Sequence, residues 1–199
     1  MKKTNYIKKA LLLVTFVIPV LLITSCGNPQ RSSDTKDAAQ DRNEARFDDN
    51  KQENDAQFLV NAAEINLKQI QLGKLAQQKG RTAHVKELGK RMEDSYTKSQ
   101  RDLTALAQRK SITIPTSPTD DVRDAYNDLN EKSADDFDEA YIDMMVNQHE
   151  DAIKTFEDAT TDMYDTDIKN WAIAALPDLR TNLNHSIESQ NKHDELKSK

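Results

Sequence analysis

The stretch FDEAYIDMMVNQHEDAIKTFEDA, from Phe137 to Ala159, decides the fold. Its apolar residues recur at spacings of three and four, which places them along one face of a long helix. They are Phe137, Tyr141, Met144, Met145, Ala152, Ile153 and Phe156. A single histidine, His149, interrupts that face. If other helices cover the face, His149 lies at mid-height in a helical core, and its neighbours decide whether it can bind a metal ion.

The composition of the whole chain is typical of a helical bundle. The 199 residues include four Gly and five Pro, which leaves few turns between long runs of helix-forming residues. The net charge is −6, and it becomes −10 if the four lysines among the first nine residues are removed with a leader segment. So acidic a protein is not expected to bind nucleic acid or anionic lipid headgroups through bulk electrostatics.

The first 25 residues are typical of a secretion signal. A basic start precedes an apolar run of 14 residues, Ala10 to Ile23, which is short for a bilayer core of about 30 Å. The segment Ile23-Thr24-Ser25-Cys26 resembles the lipobox of a bacterial lipoprotein signal. The resemblance implies that Cys26 becomes the first mature residue and carries the lipid, including palmitate. The alternative is an uncleaved anchor helix followed by an incidental cysteine.

The residue after the cysteine bears on the location of the protein. Gly27 is not an acidic retention signal, which favours the outer membrane, facing the periplasm. Residues 26–50 are predicted to be the lipidated cysteine and a flexible tether that can become helical near its end, because Phe47 is the only large apolar residue after Gly27 in that range. Residues 51–199 would then form the folded domain.

Periodicity predicts four long helices and one short one in that domain. The predicted bounds are Asp49 to Lys79 with a stop at Gly80, a helix capped by Thr82 and ending at Lys110, the central helix opened by Ser133 and Asp136 and ending near Tyr164, and a last helix from Asp165 or Thr166. Pro177 predicts a kink or a break in the last helix.

The short helix, from Asp120 to Lys132, follows a proline-containing loop and is expected to cap one end of the domain. Short connections make consecutive helices antiparallel. The predicted fold class is therefore all-α, an antiparallel four-helix bundle with a short extra helix in the crossover.

The inward faces of the four long helices each carry one polar residue near mid-length: Gln69, Ser95, His149 and Asn182. In antiparallel helices of similar length these four residues lie at similar height, so they are predicted to face one another as a polar layer. A di-metal site in such a core needs Glu and His from all four helices, and this layer has one His and no carboxylate. We therefore predict a hydrogen-bonded layer, with His149 paired to Asn182 or Gln69, and no metal or other cofactor.

The other candidate metal ligands in the sequence are weaker. Met144 or Met145 with His149 would offer a soft copper site, so His149 and Met145 are the nearest candidates for metal ligands. His185 and His193 lie two turns apart near the end of the chain and are predicted to face solvent. A phosphate-binding glycine loop, a nucleophile elbow and an HExxH motif are all missing from the sequence, so we do not expect an enzyme.

Several short motifs recur at the spacing of a known family. They are Ala62-Ala63, Gln71-Leu72-Gly73-Lys74-Leu75-Ala76, His84-Val85-Lys86, Met92-Glu93-Asp94, Tyr141, Met144-Met145-Val146, His149, and Leu176-Pro177 with Leu179. Together they resemble the bacterial envelope proteins of domain of unknown function 4142 from about Phe58 to Ser189. The resemblance implies a ferritin-like four-helix bundle, secreted or lipid-anchored, with no established activity.

The chain departs from that family at three positions. Members often carry an acidic residue at the position of Gln69 and histidines at those of Ser95 and Asn182, so only His149 matches. We expect a lipid-anchored helical bundle of the cell envelope that acts as a non-catalytic binding or structural module, with an unknown protein or small-molecule partner. The alternative is a metal-binding ferritin-like bundle in redox protection or metal handling.

Overall fold

The computed structural model describes residues 34–198. Within them the chain forms six α-helices and no β-strand, which confirms the all-α prediction. The helices are α1 (Thr35–Glu44), α2 (Asn50–Lys79), α3 (Ala83–Lys110), α4 (Asp120–Asn130), α5 (Phe137–Asp162) and α6 (Thr166–Lys197). None of the helices in this range is both long and apolar enough to cross a membrane. The predicted signal peptide and Cys26 lie outside the described residues.

Two of the four long helices begin at aspartates that accept free backbone N–H groups of the first turn. Asp49 precedes α2 and its carboxylate accepts the N–H of Lys51 at 3.1 Å. Asp165 precedes α6 and accepts two N–H groups of the first turn of that helix. α6 then continues through Pro177 without a break.

Gly80 ends α2 as predicted, but not through a left-handed conformation. Its φ is −52°, which any residue can adopt. A Cβ atom at this position would lie 2.5 Å from the Ala76 carbonyl oxygen and 2.9 Å from Cγ1 of Val85. The glycine is therefore required because the turn into α3 leaves no room for a side chain.

α2 and α3 form an antiparallel pair with a close approach at two glycines. A Cβ on Gly73 would lie 2.6 Å from the Gly89 carbonyl oxygen, and a Cβ on Gly89 would lie 2.7 Å from that of Gly73. Gln77 on α2 donates a hydrogen bond to Glu93 on α3 at 2.7 Å, beside this contact. Small residues here let the two backbones touch.

α5 and α6 form a second antiparallel pair. Arg180 on α6 bonds Glu157 on α5 at 2.7 Å, in the half of the pair that is nearer to the connecting loop. Lys197, at the far end of α6, bonds Glu139 in the first turn of α5 at 2.8 Å. The two pairs enclose one hydrophobic core to which all four long helices contribute.

Two buried aspartates join the pairs to each other. Asp138 on α5 accepts the backbone N–H groups of residues 81–82, in the loop of the α2–α3 pair, at 2.9 Å each. Asp55 on α2 accepts the N–H groups of residues 164–165, in the loop of the α5–α6 pair, at 2.8 Å each. Both aspartates are 3% exposed. Each pair therefore caps the loop of the other.

The predicted capping role of Thr82 is wrong in detail. Thr82 does precede α3, but its side chain makes no capping hydrogen bond to that helix. Its hydroxyl instead donates to Oδ2 of Asp138 at 2.8 Å. Donation to this buried carboxylate is a charge-assisted hydrogen bond, which fixes the orientation of the Thr82 hydroxyl.

The predicted tether over residues 26–50 does contain a helix, but α1 begins as early as Thr35 and is docked rather than flexible. Although this segment has no long apolar stripe, Ala39 and Asn43 lie one turn apart and are 2% and 4% exposed. The Asn43 amide exchanges two hydrogen bonds of 2.8 Å with the backbone of Thr113, in the loop after α3. These bonds dock α1 on the rest of the domain, while residues before 34 lie outside the described range.

The expectation that the short helix caps one end of the domain is also wrong. Thr119, just before α4, donates to Glu64 in the middle of α2 at 2.6 Å. Asn130, the last residue of α4, bonds the side chain of Lys79 at the end of α2. α4 therefore runs alongside the second half of α2 and in the same direction.

Candidate functional site

His149 lies at the centre of the core and is 0% exposed. Its Nδ1 atom is 2.6 Å from the carbonyl oxygen of Met145, one turn earlier on α5. Because a carbonyl can only accept, Nδ1 carries the hydrogen and donates it. Nε2 is then the acceptor, and it lies 3.0 Å from the hydroxyl of Tyr96 on α3, which donates to it. Both ring nitrogens are engaged.

Burial keeps this pair neutral. It lowers the pKa of His149 below its ordinary value, while the Met145 carbonyl acts in the opposite direction. Burial also raises the pKa of the Tyr96 hydroxyl, an effect that the Asn182 side chain partly offsets. At neutral pH a neutral phenol therefore donates to a neutral imidazole.

The polar layer predicted from the sequence does not converge on His149. The Asn182 amide donates to the Ser95 hydroxyl at 3.0 Å, between α6 and α3. The Gln69 amide donates to Gln148 at 2.7 Å, on the other side of the core. Thus neither Asn182 nor Gln69 is the hydrogen-bond partner of His149.

Tyr96 is the partner that the sequence analysis missed. Ser95 is only half-buried, whereas Tyr96 is 3% exposed. From Met92, both a step of three to Ser95 and a step of four to Tyr96 fit a helical face. The larger, mostly apolar side chain of Tyr96 was the available signal, because a ring of that size gains more from burial than a serine does.

A di-metal centre, which a ferritin-like core would imply, does not fit the residues at this level. Their donors are one imidazole with both nitrogens engaged, together with amides and hydroxyls, which are poor ligands for transition metals. The copper interpretation meets the same obstacle, because Nε2 of His149 would have to give up Tyr96. Met145 is buried beside His149, and its carbonyl oxygen accepts the hydrogen bond from Nδ1 of His149.

A groove between α3 and α6 opens beside this layer, with a volume of about 210 Å³. Polar groups line part of it, and aromatic rings line another part. The residues that give it this character are Asn66, Ser95, Ser99, Asn182, Phe156 and Trp171. Tyr96 also lines it, so the groove reaches the residue that holds His149.

The two aromatic residues belong to a fixed cluster. The rings of Phe156 and Trp171 are 5.4 Å apart, and Phe58 lies 5.2 Å from Phe156 and 6.0 Å from Trp171. Lys98 and Asp178, 3.9 Å apart and about two-thirds exposed, line the groove from opposite helices. The groove thus offers an aromatic wall, neutral hydrogen-bonding groups and charges of both signs.

His185 and His193 do not contact each other, in agreement with the prediction that they are not a ligand pair. His193 nevertheless has another neighbour. Its ring centre lies 6.1 Å from that of His84, at the start of α3. His193 is half-buried and its Nδ1 atom is inaccessible to solvent, so it does not simply face solvent. His185 instead approaches Glu188 at 3.3 Å.

Comparison with known proteins adds one finding. The model of a family described as a domain of unknown function (DUF4142) matches residues 38–188. No curated protein and no solved structure matches the chain.

Proposed function

We propose that this chain, which belongs to the DUF4142 family, is a lipid-anchored, non-catalytic binding module of the cell envelope. The description of the family assigns no function, so the proposal rests on the residues of this chain. The observation that carries the binding role is the α3–α6 groove, which combines an aromatic wall with neutral hydrogen-bonding groups. The ligand that fits this lining is a small molecule with one apolar or aromatic part and several hydrogen-bonding groups.

We further propose that the four long helices form a ferritin-like bundle. α4 runs in the direction of α2, so the chain returns along the domain before α5 begins, and α3 and α5 run the same way. One such long crossover between two antiparallel pairs distinguishes ferritin-like bundles from simple up-and-down bundles. The hydrogen bonds of Asp55 and Asp138 between the pairs support this arrangement.

The inner wall of the groove favours binding over catalysis. The titratable groups behind its inner wall, Tyr96 and His149, are neutral and bonded to each other, so neither is free to exchange a proton with a ligand. A general base needs an available lone pair within hydrogen-bonding reach of its substrate. The core is a poor site for a metal ion, because its one strong ligand, His149, already uses both ring nitrogens in hydrogen bonds.

The proposed anchor is lipid on Cys26, which would hold the domain at the outer membrane, facing the periplasm. Because α1 is docked from Thr35 onward, the spacer is shorter than residues 26–50 suggest. The eight residues from Gly27 to Asp34 span at most about 29 Å when fully extended. The domain would therefore work close to the membrane surface.

The groove is testable through Trp171, the single tryptophan of the chain. Purified full-length protein in detergent is titrated with a library of small aromatic compounds that carry amide or hydroxyl groups, and Trp171 emission is followed. We expect saturable binding that Ser99→Leu, which fills the groove, weakens at least tenfold. Thr97→Leu, on the exposed side of α3, is the matched control and should bind as the wild type does. Equal binding by both variants, or no binding by the wild type, would overturn the proposal.

The anchor is tested separately by fractionating cells that express the wild type or Cys26→Ser. The variant should leave the washed membrane fraction and appear among soluble proteins. If Cys26→Ser stays in membranes to the same extent as the wild type, the lipid anchor is wrong, whatever the groove binds.

A further inference from the structure

Three of the four histidines of this chain lie at the end of the domain where α3 begins and α6 ends: His84, His185 and His193. We propose that His84 and His193 together bind one divalent transition-metal ion of the class that prefers imidazole, namely Cu²⁺, Ni²⁺ or Zn²⁺. This site is separate from the α3–α6 groove at mid-height, and none of the groove residues contributes to it.

The distance between the two rings suits a shared ion. Metal–nitrogen bonds of about 2.0–2.1 Å place each ring centre about 3.2 Å from the ion, so two bound rings have centres about 5–6.5 Å apart. The centres of His84 and His193 are 6.1 Å apart, with their planes inclined at 57°. The observed distance therefore lies within the range that a shared ion allows.

Each ring has a nitrogen available for this role. Nδ1 of His193 is buried and has no hydrogen-bond partner among the described residues. For His84 the neighbouring Thr82 hydroxyl is informative, because its single hydrogen is donated to Asp138 at 2.8 Å. Toward Nε2 of His84, 3.4 Å away, the Thr82 oxygen can then only accept. Nε2 therefore carries the hydrogen of His84, and Nδ1 keeps its lone pair.

The chain from Asp138 through Thr82 to His84 resembles the support that metal-bound histidines need. Ligating imidazoles usually donate their second N–H to an oxygen, which fixes the orientation of the ring. Asp138 is itself held by the backbone N–H groups of residues 81–82. His84 is thus attached to one of the two buried caps that join the helix pairs.

The surroundings predict the kind of ion. Residues 34–198 contain no cluster of three His, Cys, Asp or Glu side chains that could hold a metal, so the two imidazoles are the protein ligands and water completes the shell. A cavity of about 100 Å³, which His84 lines and His193 does not, offers space for water on the His84 side of the pair. Glu87, Glu188, Arg91 and Lys192 line it with balanced charge. Without a concentration of carboxylates, Mg²⁺ and Ca²⁺ are disfavoured.

The test is calorimetric titration of untagged, full-length protein in detergent with Zn²⁺, Ni²⁺, Cu²⁺ and Mg²⁺. We expect one site per chain for the first three ions and none for Mg²⁺. His84→Gln and His193→Gln should each weaken binding at least tenfold. His185→Gln is the matched control, because His185 lines the same cavity but is not one of the two proposed ligands. This variant should bind the ions as tightly as the wild type.

A second measurement on the wild type does not depend on how the variants fold. Substoichiometric Cu²⁺ should broaden the imidazole NMR signals of His84 and His193 first and leave those of the buried His149 sharp. Equal affinity in all three glutamine variants, loss only in His185→Gln, or broadening centred on another histidine would each overturn the proposal.

Discussion

Tyr96 and His149 bring two polar groups into the centre of the hydrophobic core. Each satisfies the other, so removal of either partner leaves a buried group unpaired. The energetic consequence of such a loss is larger than the net gain from the bond itself, because the orphaned group cannot return to water. Variants at these two positions therefore test how much the hydrogen bond contributes to the stability of the core.

Tyr96→Phe should destabilise the protein by about 1–3 kcal/mol, since it removes the donor to Nε2 of His149 and keeps the ring. His149→Leu should cost a similar amount, and His149→Gln less, because an amide can still accept from Tyr96. The free energy of unfolding in urea measures all three. Tyr164→Phe is the control: Tyr164 is 63% exposed, so its hydroxyl loses nothing that water cannot replace.

The double variant Tyr96→Phe, His149→Leu gives a further check. Because both polar groups are then absent, its cost should be smaller than the sum of the two single costs. Strict additivity would mean that the hydrogen bond does not couple the two residues.

His149 also predicts how stability depends on pH. Its pKa is lowered in the folded state by burial, whereas the unfolded chain has an ordinary value of about 6.5. Below about pH 6.5 the unfolded state therefore binds more protons than the native state, so the free energy of unfolding decreases as the pH decreases. The stability that neutral His149 contributes is complete above that pH and is lost progressively below it.

Comparison of wild type with His149→Gln isolates this effect between about pH 7 and pH 5. The variant should show a shallower loss of stability in urea unfolding, because no histidine at this position has to be charged on unfolding. His84, whose pKa burial also lowers, acts equally in both proteins and cancels in the difference. Parallel profiles for wild type and His149→Gln would contradict the prediction.

At the scale of elements, the helix pairs depend on loops that neither pair can satisfy alone. The turn between α2 and α3 exposes two N–H groups that only Asp138, on α5, accepts within the described structure. Asp55 does the same for the turn between α5 and α6. The reciprocal arrangement links formation of each turn to docking of the opposite pair.

Asp138→Ala should therefore destabilise the protein by about 2 kcal/mol or more, because it leaves buried donors without an acceptor. Asp135→Ala is the control: its carboxylate pairs with Arg81 only at the surface, where an ion pair is worth about 0–1 kcal/mol. Urea unfolding compares the two. Hydrogen exchange at residues 81–82 should rise in Asp138→Ala alone, and equal losses of stability in both variants would argue against this role.

At the scale of the whole molecule, α1 extends the domain toward the proposed anchor. Asn43 bonds the loop after α3, and Lys36 pairs with the largely buried Glu64 of α2 at 2.5 Å. Glu64 also accepts from Thr119, before α4. α1, α2 and the crossover thus share one polar contact, although α1 buries little apolar surface.

Asn43→Ala should release α1 from the domain, because it removes both hydrogen bonds to Thr113. Trypsin should then cut faster after Lys36, Arg42 and Arg46, as mass spectrometry of a digestion time course would report. Glu44→Ala, an exposed position on the same helix, is the control and should be cut at the wild-type rate. A variant as resistant as the wild type would show that Asn43 does not hold α1.

The long helices could be predicted because their information is local. Apolar residues at three- and four-residue spacing, capping side chains such as Asp165, and glycine or proline between helices are all read along the chain. The same patterns identified His149 as a core residue and pointed to the family. These patterns do not separate Ser95 from Tyr96, because steps of three and of four residues from Met92 both fit a helical face.

The remaining features depend on contacts between segments far apart in sequence. The His149–Tyr96 bond spans 53 residues and the Asn43–Thr113 bond spans 70, so no local pattern encodes either. A polar segment such as α1 becomes a docked helix only when a distant backbone offers it partners. Likewise Asp55, Asp138 and the His84–His193 pair look like ordinary surface residues in the chain. Their roles follow from the packing of the two helix pairs, because burial and hydrogen-bond partners exist only once those pairs have met.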